Sequence, residues 1–239
     1  MSGHSKWSTI KHKKAINDAK RANVFTKHAK LIEVAARNGG DPEMNFALRM
    51  AIDNARAVNM PKDNIERAIK RGTGESKDGA ELFEVTYEAY GPGQVAMLID
   101  CITDNKNRTL TDVKTILKKN KGKFVEGGGV SWQFEKKGLI LLSGVTKENE
   151  EELEMQIIDS GAEDYEIEAD GVVVYTKATE LKQVQDALEK NGLKIEEAKI
   201  IFDAKDKISP TEDDLVDLEK LVELLEENDD VAEVWTALG

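Results

Sequence analysis

From Gly138 to Phe202 the apolar residues change period in the order strand, helix, strand, strand, helix, strand. Few topologies can bury such a pattern. Leu139 to Leu142 reads as a strand, and a helix from about Lys147 ends at Gly161. Two strands then flank the turn at Asp170-Gly171. A second helix carrying Leu181, Val184 and Leu188 ends at Asn191-Gly192, and Lys194 to Phe202 closes the unit. The β-α-β-β-α-β order predicts a split βαβ, ferredoxin-like segment over 135–205.

The flanking segments follow two other grammars. Trp7 to Arg37 lacks Pro and Gly and is rich in Ala and Lys, which predicts one long or broken helix stopped by Asn38-Gly39-Gly40. Asp41 with Pro42 behind it has the form of a helix start, followed at helical spacing by Leu48, Ala51, Ile52 and Ala55. Pro61 opens a third helix, with Ile65, Ala68 and Ile69 apolar and Gly72 as its cap. Residues 1–74 are therefore expected to form a basic three-helix bundle. Thr73 to Ala80 reads as a linker.

Beyond it, Phe83 to Glu88 alternates like a half-buried strand, Gly91-Pro92-Gly93 turns the chain, and Val95 to Ile102 returns as a buried one. A helix from about Asn107 to Asn120 carries Leu110, Val113 and Leu117, and Val130 to Phe134 is read as a strand. Near the C-terminus, Ser209-Pro210-Thr211-Glu212 has capping-box spacing. It introduces an acidic helix with Leu215, Leu218, Val222 and Leu225 inward, then a short strand from Val231 to Trp235. Each of these segments is too small to stand alone. Joined, 80–134 and 206–239 make a discontinuous α/β domain into which 135–205 is inserted. The expected fold class is α+β.

Charge decides which partners to consider. The chain carries 34 Lys and Arg against 46 Asp and Glu, a net −12. Residues 1–74 hold 15 cations and 7 acids, whereas 135–239 hold 11 and 30, so the N-terminal part is +8 and the C-terminal part −19. Such asymmetry concerns partners rather than fold. Lys6, Lys13, Lys20 and Lys27 recur every seven residues, and Lys14 and Arg21 keep the same step. On a helix they would form a slowly drifting cationic stripe, extended on a neighbouring line by Lys30 and Arg37, suited to phosphates and largely indifferent to sequence; Lys11 and His12 are further candidates in the same basic stretch. An ordinary solvated face would use the same residues. Lys62, Arg67, Lys70 and Arg71 add a patch on the third helix, and Lys106 and Arg108 a weaker one beside the middle helix. Trp7 is available for base stacking or as an anchor of the bundle.

Catalytic signatures are not found. His4, His12 and His28 lack metal-ligand spacing, and Gly127-Gly128-Gly129 has no Lys-Ser or Lys-Thr behind it. The single Cys101 lies in an apolar strand and fits a reducing compartment. No cofactor or metal is expected, no apolar run is long enough to cross a membrane, and a cytoplasmic, non-enzymatic protein is the reading. The inserted segment offers Tyr165, Tyr175 and Phe202 in strands but is strongly acidic, so it suits contact with a basic protein better than RNA.

Several longer runs resemble one family. Gly3-His4-Ser5-Lys6-Trp7 through Lys13-Lys14 and Asp18-Ala19-Lys20-Arg21 is similar to the opening signature of the YebC family. Asn59-Met60-Pro61-Lys62-Asp63-Asn64-Ile65-Glu66-Arg67 up to Gly72-Thr73-Gly74 resembles its second. Tyr90-Gly91-Pro92-Gly93 and Thr103-Asp104-Asn105 with Asn107-Arg108-Thr109 resemble two more. Lys121 to Gly127 departs from the glycine pairs usual there. The resemblance implies a helical domain and two α/β domains around a central cavity. It implies either DNA-binding transcriptional regulation or action on translation at the ribosome through ribosomal RNA, including relief of stalling, as for the mitochondrial translational activator of cytochrome c oxidase subunit I.

Overall fold

The structure is a computed structural model that describes residues 18–76, 80–143, 150–168 and 171–239. Three helices come first: α1 (Asp18–Ala36), α2 (Phe46–Ala57) and α3 (Lys62–Gly72). The part of the first expected helix before Asp18 lies outside the described residues. Ile32, Ala36, Leu48, Ile52, Ala55, Met60, Ile65 and Ala68 form their common core. The second helix starts later than its sequence suggests. The Asp41 side chain accepts from the Glu43 amide in a turn, and Asn45 is the true cap, its Oδ1 accepting from the Leu48 amide at 3.1 Å. Asn45 also donates to the carbonyls of Ala35 and Gly39, both at 2.8 Å, so one side chain starts α2 and ties it to the end of α1.

The first sheet has four strands. β1 (Phe83–Tyr90) and β2 (Ala96–Thr103) form a hairpin in register from Phe83↔Thr103 to Tyr90↔Ala96. β3 (Lys123–Val125) edges it on one side, and β8 (Val231–Thr236), the last strand of the chain, pairs with β2 on the other. The helices α4 (Lys106–Lys119) and α7 (Glu212–Glu226) contribute Val113, Leu117, Leu218, Leu221 and Leu225 to its core. Val130 does not open a strand: 131–133 is a single 3-10 turn, and the strand begins at Phe134. The cap of α7 is Thr211, not Ser209. Its hydroxyl accepts from the Asp214 amide and donates to the Asp214 carboxylate.

The second sheet runs β5-β6-β4-β7, built from β4 (Phe134–Ser143), β5 (Asp164–Glu168), β6 (Gly171–Lys177) and β7 (Lys194–Ala204), with every neighbour antiparallel. With α5 (Glu150–Asp159) and α6 (Leu181–Lys190) between its strands this is the ferredoxin-like order expected, in an α+β fold. Ile140, Leu142, Val172 and Val174 pack with Leu153, Ile157, Leu181, Val184 and Leu188 of the two helices. The alternate residues Leu139, Leu141, Val173, Tyr175 and Ile201 form a separate cluster with Trp235 of the first sheet. Period-2 alternation thus gives this sheet two buried faces.

Candidate nucleic-acid interface

Of the sixteen cationic, aromatic and histidine candidates, Lys6, Trp7, Lys11, His12, Lys13 and Lys14 lie outside the described residues, as do the side chains of Lys20 and Arg21. The others fall into two groups. Lys30, on α1, is turned inward: its ammonium donates to the Ile102 carbonyl at 3.0 Å, the Asp229 carbonyl at 2.8 Å and Asp230 Oδ1 at 2.7 Å. Lys27, one turn earlier, donates to the Glu226 carbonyl. Arg108 donates to Asp230 Oδ2 and to Asp104 Oδ1, both at 2.7 Å.

Asp230 is the centre of this group. Thr109 and Thr103 donate their hydroxyls to its Oδ2 at 2.8 and 3.2 Å, and the Ile102 amide donates to its carbonyl. Burial alone would raise its pKa, but the bonds from Lys30, Arg108 and Thr109 outweigh burial and hold it at about 2. Three separate stretches of chain, α1, the β2–α4 junction and the turn before β8, meet on one carboxylate. Thr103, Arg108 and Thr109, singled out by their motif, serve this junction. Lys106 sits beside it with its ammonium 4.5 Å from the centre of the Phe83 ring.

A cleft of about 840 Å³ opens over the junction. Its lining includes Glu33, Asp104, Asp112, Glu227, Asp229 and Asp230 against Lys30, Arg71 and Arg108, an excess of negative charge that would repel phosphate. A second cleft of about 520 Å³ lies between α1 and α3 and shares Thr26, Ala29 and Arg71 with the first. Its floor is apolar, from Ala22, Phe25, Ala29 and Met60, and its rim holds Arg67, Lys70 and Arg71 with no carboxylate among the described lining residues. Arg67 is steadied by the Asp63 carbonyl and the Asn64 side chain, and Arg71 lies 3.2 Å from the buried Glu33. Lys62 pairs with Glu66 at 3.5 Å, both exposed, which is worth little in water. Among the described lining residues, the α1–α3 cleft therefore carries net positive charge and the larger cleft net negative charge.

The close approach that shapes this cleft depends on Gly72. A Cβ there would stand 2.2 Å from the Glu33 carbonyl oxygen and 2.6 Å from the Ala36 Cβ. Gly72 has the form of a cap in the sequence, but the cap is Thr73 and Gly72 ends α3; nothing local signals its side-chain-free contact with α1, since Glu33 lies far back along the chain.

A helical unit docked on two four-stranded sheets, with Arg67, Lys70 and Arg71 beside a cleft and Lys30 and Arg108 in ion pairs with Asp230, defines a protein of α+β class. Residues 5–75 match the model of the TACO1/YebC protein N-terminal domain, and residues 82–238 match that of the TACO1/YebC second and third domain. The chain belongs to the TACO1/YebC family. Among similar proteins is one from Chloroflexus aggregans, 47% identical over all of this chain and 95% of its own length. Another, from Fervidobacterium nodosum, is 48% identical over 98% of this chain and 92% of its own. Both are named "Probable transcriptional regulatory protein". The crystal structure of a conserved hypothetical protein from Aquifex aeolicus superposes with a TM-score of 0.85 at 39% identity, covering 93% of this chain and 91% of that one.

Proposed function

We propose that this chain is a non-enzymatic regulator of gene expression that binds nucleic acid through its N-terminal helical part. The observation that carries the reading is the α1–α3 cleft, with Arg67, Lys70 and Arg71 around an apolar floor. It lies along α1, and apart from the inward Lys27 and Lys30 the sequence holds six more Lys and Arg in its first 21 residues against one acid, Asp18. The names of the curated relatives support a role in regulation. The division of labour is 1–74 for nucleic acid, 80–134 with 206–239 as a frame, and 135–205 as an inserted unit whose acidity keeps nonspecific nucleic acid away.

A non-enzymatic role is supported by how the perturbed groups are used. Asp230 and Glu88 are both held ionised by structural hydrogen bonds. Burial pushes the Cys101 thiol up to about 12, far from a reactive thiolate. None of the three is poised for proton transfer or attack near neutral pH.

Two targets fit the same surface, duplex DNA at promoters and ribosomal RNA on the ribosome. Crosslinking in cells followed by sequencing separates them. Promoter DNA without ribosomal RNA supports transcriptional control; ribosomal RNA without promoter DNA supports a translation factor. Enrichment of neither would overturn the reading.

A further inference from the structure

The glycine-rich segment before β4 is not a loose loop. Glu88 of β1 is buried, and its carboxylate accepts from the amides of Gly128 at 2.6 Å, Val130 at 2.5 Å and Ser131 at 2.9 Å. Burial would raise its pKa, yet the amides outweigh burial and lower it, so the loop folds around a fixed negative charge. Gly128 supplies the left-handed φ of 89° that the wrap needs.

The next residue along is Trp132, 65% exposed. Its neighbours are pinned. The Gln133 amide donates to Val130, the Gln133 side chain donates to the Tyr90 hydroxyl at 3.0 Å, and the Lys205 ammonium donates to the Trp132 carbonyl at 2.8 Å. The indole N–H donates to the Gly129 carbonyl at 3.2 Å. Its polar edge is therefore engaged, and what remains for a partner is the flat face of a large side chain held rigidly in water. Such a group favours a planar ligand.

The surroundings select which one. Of the six Lys in residues 118–137, Lys121 pairs with Asp217, and Lys137 with Glu135 and Asp203. Lys118, Lys119 and Lys123 are exposed. The Lys205 ammonium on the Trp132 carbonyl, and Lys123 opposite Tyr90 on the strand that precedes the loop, put positive charge near the exposed ring, which suits an unpaired base with its phosphates and opposes a basic protein.

We propose that the 126–133 loop is a stacking platform for an unpaired nucleobase of single-stranded nucleic acid, with Trp132 against the base. The proposal rests on the nucleic-acid reading above but uses a different surface, so the two can fail separately.

The test is fluorescence anisotropy of the full chain with labelled single strands of about 12 nucleotides, RNA and DNA, and with a duplex. Trp132→Ala should weaken both single strands by roughly 5- to 150-fold. Duplex affinity should stay within about twofold, as for a surface change remote from the contact. Trp132→Phe should retain most single-strand affinity, which an unfolded or merely loosened loop would not. Unchanged single-strand binding in Trp132→Ala, with wild type binding normally, overturns the platform and leaves the indole to a protein partner. Equal losses on duplex and single strand also overturn it. Failure of the wild type to bind any of the three refutes the nucleic-acid reading itself.

Discussion

The ammonium of Lys30 and the carboxylate of Asp230 meet at 2.7 Å although the two residues are 200 positions apart in sequence. The pair joins the first helix to the turn before the last strand, and Arg108 joins both to the middle of the chain. Removing the carboxylate would leave the largely buried Lys30 with only carbonyl acceptors. Arg108 is 49% exposed and would be rescued in part by water. Asp230→Ala should therefore cost about 3 kcal/mol, at the low end for a broken buried pair, read as a lower midpoint in urea denaturation.

Acid should weaken the fold in two steps. Burial lowers the pKa of His28 below 6.5, against the opposing pull of Glu197 and Glu233, so the native state holds fewer protons there than the unfolded chain. That contribution is complete above 6.5 and fades as pH falls below it. The Asp230 contribution is complete above 3.8 and is lost as pH falls from there through about 2. Stability measured against pH should decline first as pH falls below 6.5 and again as it falls below 3.8. His28→Gln should remove the first step alone, and a decline unchanged in that variant would contradict the assignment.

Glu88→Gln keeps the shape of the side chain but halves its accepting power. The loop around Gly128 should open, with a loss of about 1–3 kcal/mol. Hydrogen exchange at the Gly128, Val130 and Ser131 amides should accelerate while amides of β1 and β2 outside the site keep their protection.

Gly72→Ala separates two opposite expectations. Helix propensity alone favours Ala by about 1 kcal/mol. The added Cβ, 2.2 Å from the Glu33 carbonyl oxygen, forces α1 and α3 apart. Overpacking should win, giving a net loss of about 1–3 kcal/mol in thermal or urea unfolding.

Periodic segments were readable in the sequence; contacts between them were not. The ferredoxin-like order and the Leu181, Val184 and Leu188 face follow from repeats that one element carries by itself. Caps were displaced because Asp41 and Ser209 look as good locally as Asn45 and Thr211, and only packing chooses between them. On α7 Leu221 is buried with Leu218 and Leu225, while Val222 and Leu215 are half-buried, since all lie near the inward stripe. β3 escaped notice as three residues in a basic, glycine-rich stretch, and it forms only because β1 offers an edge. Lys30 and Arg108 looked like phosphate ligands because the acid that engages them lies far along the chain. Lys62, Arg67, Lys70 and Arg71, by contrast, share one short helix, so their grouping is legible from spacing, whereas the cleft beside Arg67, Lys70 and Arg71 is not, because its other wall is α1.

Cations of the N-terminal part that hold phosphates would release counterions on binding, so affinity of the full chain for duplex should depend on salt. If about six phosphates are engaged, log affinity for duplex should fall against log salt with a slope of about −5, and an Arg67→Glu, Lys70→Glu double variant should make the slope shallower by about 2. A slope near zero in wild type, or the same slope in the variant, would contradict the account.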